Sequence, residues 1–202
     1  MEPFSLQDAE VEALGQRGYF VRERFLGDVL AAEVRAAALA RAGELRAAGV
    51  RRGADRRVEQ ETRQDLITWV TAAPGNTLGA AFDAFTQLGE EVSRAAYLGL
   101  GRFDVQLALY PGDGARYVRH RDAFSGAAGD NRRLTAVYYL NPDWVPAHGG
   151  QLRLYTDEGA VDVEPVLDRL AVFLSQRMDH EVLPVHAPRL ALTAWFYGRT
   201  VG

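Results

Sequence analysis

With four histidines and no cysteine, any transition-metal site in this chain must be built from imidazole and carboxylate. His120 is followed two residues later by Asp122, and on extended backbone residues i and i+2 point to the same side. With 27 acidic residues among 202 and four histidines, roughly half of one such His-x-acid match arises by chance, so the motif needs company. It has some. His180 opens the apolar run HEVLPV, and Arg189 opens the last run, RLALTAWFY. In that run Arg189, Ala191, Thr193 and Trp195 share one face, a poor core but a good pocket wall. Leu190, Leu192, Ala194 and Phe196 form a plain hydrophobic face on the other side. Two histidines and one carboxylate leave three coordination positions open, the non-haem iron(II) arrangement. An arginine at pocket depth supplies a rigid two-pronged clamp for a carboxylate. Other chemistries are excluded by composition. All 23 Lys+Arg residues are arginine, so there is no Schiff-base or P-loop lysine. Without cysteine there is no disulfide, thiol nucleophile or iron–sulfur cluster. A net charge of −4 argues against a nucleic-acid partner.

The elements that must position these residues change character near the middle of the chain. Ser5 with Asp8 reads as a capping box for a short helix through Leu6, Ala9, Ala13 and Leu14, stopped by Gly15 and Gly18. Tyr19 to Val21 reads as a brief strand. A longer helix is expected from an N-cap at Asp28 through Val29, Leu30, Val34, Ala37, Ala38, Arg41 and Leu45 to Gly49. Residues 51–65 are polar and of mixed charge, a solvated loop on residue type alone. Leu66 to Thr71 suits a strand, and a third helix is expected from Asn76 or Thr77 to Tyr97. From Arg102 onward, short apolar runs fall at 103–110, 134–140, 151–155, 161–166, 169–174, 180–185 and 190–197. Turn chemistry separates them (PGDG, GAAGDN, NPD, HGG, DEG), as in a sandwich or barrel. The prediction is one α+β domain over 1–202. Residues 1–99 supply mainly helical support and a loop, and 100–202 supply a jelly-roll core with the helices on one side. No stretch approaches a membrane span, and the start MEPFSLQDAE does not read as a secretory signal, so a cytoplasmic protein is expected. A monomer is the default.

The segments YPGDGARYVRHRD, LTAVYYLNPDW, GGQLRLY and DHEVLPVHAPRLALTAWFY resemble, in order and spacing, the prolyl hydroxylase domain family of 2-oxoglutarate-dependent oxygenases. RQDLITW at 63–69 resembles it too, and the N-terminal helices only in general character. That family includes animal enzymes acting on hypoxia-inducible factor and bacterial relatives acting on elongation factor Tu. The resemblance implies a double-stranded β-helix holding Fe(II) through His120, Asp122 and His180. It implies that Arg189 pairs with the distal carboxylate of 2-oxoglutarate and that Tyr139 hydrogen-bonds to it. By the same carry-over, Tyr110 lines the pocket near the metal-binding end of the cosubstrate. Thr193 stands behind the ligands, and Val137 and Trp195 are apolar walls. Spacing supports one part of this independently, since Val137 and Tyr139 share a strand face while Tyr138 points the other way. The polar stretch 51–65 corresponds to a loop that folds over the substrate peptide. Arg63 and Asp65 then become substrate-loop residues, Tyr117 joins them at the pocket mouth, and Arg132 is expected to pair with Asp65 there. His148 and His186 lack a partner at ligand spacing and are expected to take no part in the metal site.

The chain stops soon after the last strand, so no counterpart is expected of a C-terminal substrate-contacting helix of the animal enzymes. A small bacterial-type enzyme using Fe(II), 2-oxoglutarate and O2 on a loop proline of a protein, elongation factor Tu first among candidates, is the leading expectation. Oxygen sensing is implied only by the resemblance. A second reading keeps the oxygenase chemistry and changes the target to another protein side chain or a small molecule. A third is a non-catalytic jelly-roll binding or sensing module, against which the intact set of His120, Asp122, His180 and Arg189 argues.

Overall fold

A computed structural model of the chain describes residues 4–49, 62–71, 78–123 and 131–198. Two antiparallel sheets face each other, with three helices on the outer face of the larger one, so the α+β jelly roll is borne out. In chain order the elements are α1 (Asp8–Gln16), β1 (Tyr19–Arg22), α2 (Asp28–Ala40), β2 (Arg46–Ala47), β3 (Leu66–Val70), α3 (Gly79–Ala96), β4 (Leu100–Tyr110), β5 (Ala115–Arg121), β6 (Arg132–Tyr139), β7 (Leu152–Thr156), β8 (Gly159–Val163), β9 (Leu170–Leu174), β10 (Asp179–Val185) and β11 (Arg189–Gly198). The larger sheet runs β1-β9-β6-β11-β4-β3-β2 and the smaller β5-β10-β7-β8. Among the described residues no helix is long and apolar enough to cross a membrane.

Strand β11 shows why the sequence folds this way. Leu190, Leu192, Ala194 and Phe196 enter the core under the helices, where Phe82, Phe85, Leu88 and Val92 of α3 meet them. Burying this many apolar side chains, at ~25 cal/mol per Å2, is what fixes the helices on that face. Helix and sheet approach closely at Gly89, where a Cβ would lie 2.9 Å from the Phe196 ring. The opposite face of β11 looks between the sheets.

Four expectations are corrected. Helix α1 starts after Gln7, whose N–H donates to the Glu10 carboxylate at 2.9 Å, so the box is Gln7 and Glu10, not Ser5 and Asp8. Glu10 is drawn inward because Arg22 of β1 pairs with it. Helix α2 is preceded by Gly27, not capped by Asp28, and the Asp168 carboxylate takes the Leu26 and Gly27 N–H groups, each at 2.8 Å. The helix ends at Ala40, because the chain must turn through a 3-10 segment and pair β2 with β3, so Leu45 lies outside it. Strand β5 was not among the apolar runs. Its exposed residues are arginines, and its inward side faces a cavity rather than a core, so it lacks apolar alternation. The described part of α3 begins at Gly79; its expected start, with most of the 51–65 loop, falls outside the described residues.

Candidate active site

The site grows from strand register. His180 on β10 sits directly opposite His120 on β5. On the facing sheet, β11 brings Arg189 beside Tyr110 of β4, Ala191 beside Tyr139 of β6, Thr193 between Gln106 and Val137, and Trp195 beside Thr135. Between the sheets lies a cavity of about 1180 Å3 lined by these residues, with the exception of Tyr139.

His120, Asp122 and His180 offer ligand atoms within 4.8 Å of one another, the one such cluster among the described residues. Each imidazole is aimed by its other nitrogen. His120 Nδ1 lies 2.8 Å from the Val118 carbonyl and His180 Nδ1 3.3 Å from the Met178 carbonyl. A carbonyl only accepts, so Nδ1 carries a proton in each ring and Nε2 is the atom turned toward the cluster. Those Nε2 atoms stand 3.8 and 3.7 Å from the two Asp122 oxygens. Burial, then the nearby His180, lowers the His120 pKa to about 3, so its ring is neutral. Burial alone would raise that of Asp122, but the two imidazoles, Arg132 and the Trp195 N–H outweigh it and hold it at about 2. Two imidazoles with an ionised carboxylate are the donor set that iron(II) takes.

At the far end of the cavity Arg189 is 4% exposed, and its Nε donates to the Gly150 carbonyl at 2.7 Å. A Cβ on Gly150 would lie 2.8 Å from Arg189 Cδ, so only glycine leaves room for the arginine to reach in. No carboxylate pairs with this guanidinium among the described residues, a costly state for a buried cation. Nearby, the Tyr139 hydroxyl is buried beside Arg189 with no acceptor for its proton among the described residues. Burial pushes its pKa up to about 12 despite the Arg189 charge, so it stays a donor. An unpaired buried cation beside an orphaned donor is complementary to a carboxylate. The residues thus fit a small dicarboxylate reaching from Arg189 toward the metal cluster. Tyr110, whose pKa is raised by burial and then by the Asp65 charge, lines the same cavity with its ring 5.1 Å from the Arg189 guanidinium.

Toward the open end, Tyr117 stacks on His120 with ring centroids 3.7 Å apart. A register shift in β5 between the pairs His180–His120 and Val182–Tyr117 puts these two rings on one side, where strict alternation would place Val118. Arg63 grips both oxygens of Asp65 at 2.6 and 2.9 Å, donates to Gln106 at 2.5 Å and lies over the Tyr117 ring. The expected Arg132–Asp65 pair is therefore not formed. Arg132 instead lies 3.5 Å from Asp122 and 4.0 Å over the Trp195 ring. Trp195 is more than a wall, since its indole N–H donates to Asp122 at 2.8 Å. Thr193 opens onto the cavity; the hydroxyl that meets a ligand is that of Thr135. Sequence reading missed Thr135, Ser175 and Gln106. Thr135 shares the β6 face of Val137 and Tyr139, which was the available signal. His148 and His186 hydrogen-bond each other through backbone, away from the cluster.

Comparison with known proteins agrees with this geometry. A model of the 2OG-Fe(II) oxygenase superfamily matches residues 105–197. Human prolyl hydroxylase EGLN3 is 38% identical over 207 residues, covering 93% of this chain and 81% of that protein. A prolyl-4-hydroxylase of Pseudomonas putida superposes with a TM-score of 0.84 at 38% identity, covering 95% and 98% of the two chains. A Trichoplax adhaerens prolyl hydroxylase, solved with a hypoxia-inducible factor peptide fragment, gives 0.81 at 30% identity over 93% and 87%. The chain belongs to the prolyl hydroxylase branch of the 2-oxoglutarate- and iron(II)-dependent oxygenases. It is accordingly a 2-oxoglutarate-dependent dioxygenase whose cofactors are Fe(II), 2-oxoglutarate and O2.

Proposed function

We propose that this chain is a prolyl 4-hydroxylase acting on a proline in a loop of a protein substrate, with elongation factor Tu the first candidate. The shape of the cavity carries this reading. One end closes on the unpaired Arg189, and the other opens past Tyr117, Trp195 and Trp69, the last 46% exposed. Its volume of about 1180 Å3 exceeds the roughly 300–1,000 Å3 of small-molecule sites, so a dicarboxylate leaves space for a chain segment. The relatives at 38% identity are prolyl hydroxylases, and the Trichoplax enzyme holds a peptide. Elongation factor Tu enters through the resemblance to bacterial members of the family, and the same reading makes the protein a cytoplasmic monomer.

His120, Asp122 and His180 hold the iron, and Arg189 with the Tyr139 hydroxyl holds the distal carboxylate of 2-oxoglutarate. Bound together, iron, 2-oxoglutarate and O2 supply the oxidation, giving succinate, carbon dioxide and a hydroxyl group on a substrate carbon. Tyr110 borders the inner end of the cosubstrate, and Val137 and Thr193 complete its walls. Trp195, Tyr117 and Arg132, with the Arg63–Asp65 pair behind Tyr117, shape the mouth that orients the proline and excludes water. The test is mass spectrometry of elongation factor Tu incubated with the protein, iron(II), 2-oxoglutarate and O2, with succinate measured in the same tubes. One oxygen gained on a single proline, and lost with His120→Ala, is expected. Succinate without that gain would discard the substrate and keep the oxygenase.

A further inference from the structure

Two buried hydroxyls behind the metal centre have no part in the reading above. Thr135 on β6 is 1% exposed, and Ser175, just beyond β9, is fully buried. Thr135 Oγ1 lies 2.8 Å from Asp122 Oδ2 and 2.8 Å from Ser175 Oγ. Valence sets the direction of this chain. An ionised carboxylate only accepts, so Thr135 commits its single proton to Asp122 and must accept the proton of Ser175. The Trp195 N–H reaches the same Oδ2 at 2.8 Å. Two donors fill the lone pairs of that oxygen, which leaves Oδ1, 3.8 Å from His120 Nε2 and 3.5 Å from the Arg132 guanidinium, as the atom offered to an ion. Ser175 is itself fixed by backbone, donating its N–H to the Arg133 carbonyl at 3.0 Å and accepting the Ala123 N–H at 3.4 Å. Ala123 is the residue after Asp122, so the Ser175 main chain holds the backbone beside the carboxylate while its hydroxyl reaches Thr135.

We propose that Ser175 and Thr135 form a one-way hydroxyl relay that, with Trp195, locks Asp122 as a single-oxygen metal ligand. A carboxylate free to rotate loses that freedom on binding an ion, or chelates with both oxygens and takes one of the positions a two-histidine, one-carboxylate site must keep open. The relay removes both alternatives. Thr135 is a positioning residue that acts on Asp122, and Ser175 acts only through Thr135.

The test is Mn(II) binding to the metal-free full chain, read by the electron paramagnetic resonance signal of free Mn(II), with the melting temperature of each metal-free variant measured in parallel. Thr135→Val is expected to weaken Mn(II) binding about 10–100-fold, the usual cost of losing a ligand's supporting hydrogen bond. Thr135→Ser, which keeps the hydroxyl, is expected to restore it. Ser175→Ala is expected to weaken binding less, and to add nothing in the Thr135→Val background because its path is already cut. Wild-type affinity in Thr135→Val, or a Ser175→Ala loss that adds in full to it, would overturn the relay. Should Thr135→Val fail to fold, wild-type affinity in Ser175→Ala overturns it equally. The readout is metal alone, so failure of the protein substrate proposed above leaves this result untouched.

Discussion

The two ends of the cavity are built differently. At the closed end Arg189, Tyr139 and Tyr110 stand on β11, β6 and β4, strands paired on both sides, and none is more than 4% exposed. At the open end Trp195 and Trp69 still stand on the larger sheet, but Tyr117 stands on β5, the edge strand of the smaller sheet, which among the described residues is covered by residues 62–64. The histidines divide likewise, with side-chain exposure of 19% for His120 on β5 and 6% for His180 on the interior strand β10. Central strands are held in register on both flanks, whereas an edge strand tolerates shifts and bulges, as β5 does between Tyr117 and His120.

The sharpest way to break this comparison is Arg189→Met. The guanidinium has no acidic partner to orphan, so the melting temperature of the ligand-free protein should hardly move. Binding of 2-oxoglutarate, by calorimetry, should weaken 100-fold or more, since a missing partner in a buried charge pair costs about 3–5 kcal/mol. Binding within tenfold of wild type would remove Arg189 from the closed end. Asp65→Ala should do the reverse. It leaves the half-buried Arg63 without its carboxylate, at a cost of about 3 kcal/mol and about 6–12 °C in melting temperature, while 2-oxoglutarate affinity stays within twofold. An unchanged melting temperature would show that the mouth does not depend on this pair.

A third effect lies between the ends, in the pH dependence of the metal-free protein. The fold holds His120 near a pKa of about 3, against about 6.5 in an unfolded chain. Between those values the unfolded state binds a proton that the folded state refuses. Stability is therefore full above about pH 6.5 and falls on acidification, by up to ~1.4 kcal/mol per pH unit. Asp122, lowered to about 2, adds a loss of the same sign as the pH drops below about 4. Urea midpoints from pH 7 to 4 should show this slope, and His120→Asn should flatten it. The same slope in both proteins would place the proton elsewhere.

Much of the core was legible because strand alternation is a local property. The two faces of β11 and the opposed directions of Tyr138 and Tyr139 follow from period two alone, and the structure reproduces both: Tyr138 bonds Asp168 under the helices, while Tyr139 packs between the sheets. Strand β5 was illegible as a strand because its partners are a cavity and solvent, which impose no apolar period. The helix boundaries misread in α1 and α2 depend on Arg22 and Asp168, residues too distant for a capping rule to see.

Residue identity alone determined the chemistry open to this protein: imidazole and carboxylate but no thiol, arginine but no lysine, and one His-x-Asp pair. Residue order in the β half determined which faces would be core and which would be pocket. Only the tertiary structure decided the partners. It gave Arg132 and the Thr135–Ser175 pair to Asp122, and brought Gln106 to Arg63. The physical reason is range. Alternation and turn chemistry act over a few residues, whereas hydrogen-bond partners are chosen by the register of strands far apart in the chain, and by a bulge that places Tyr117 over His120.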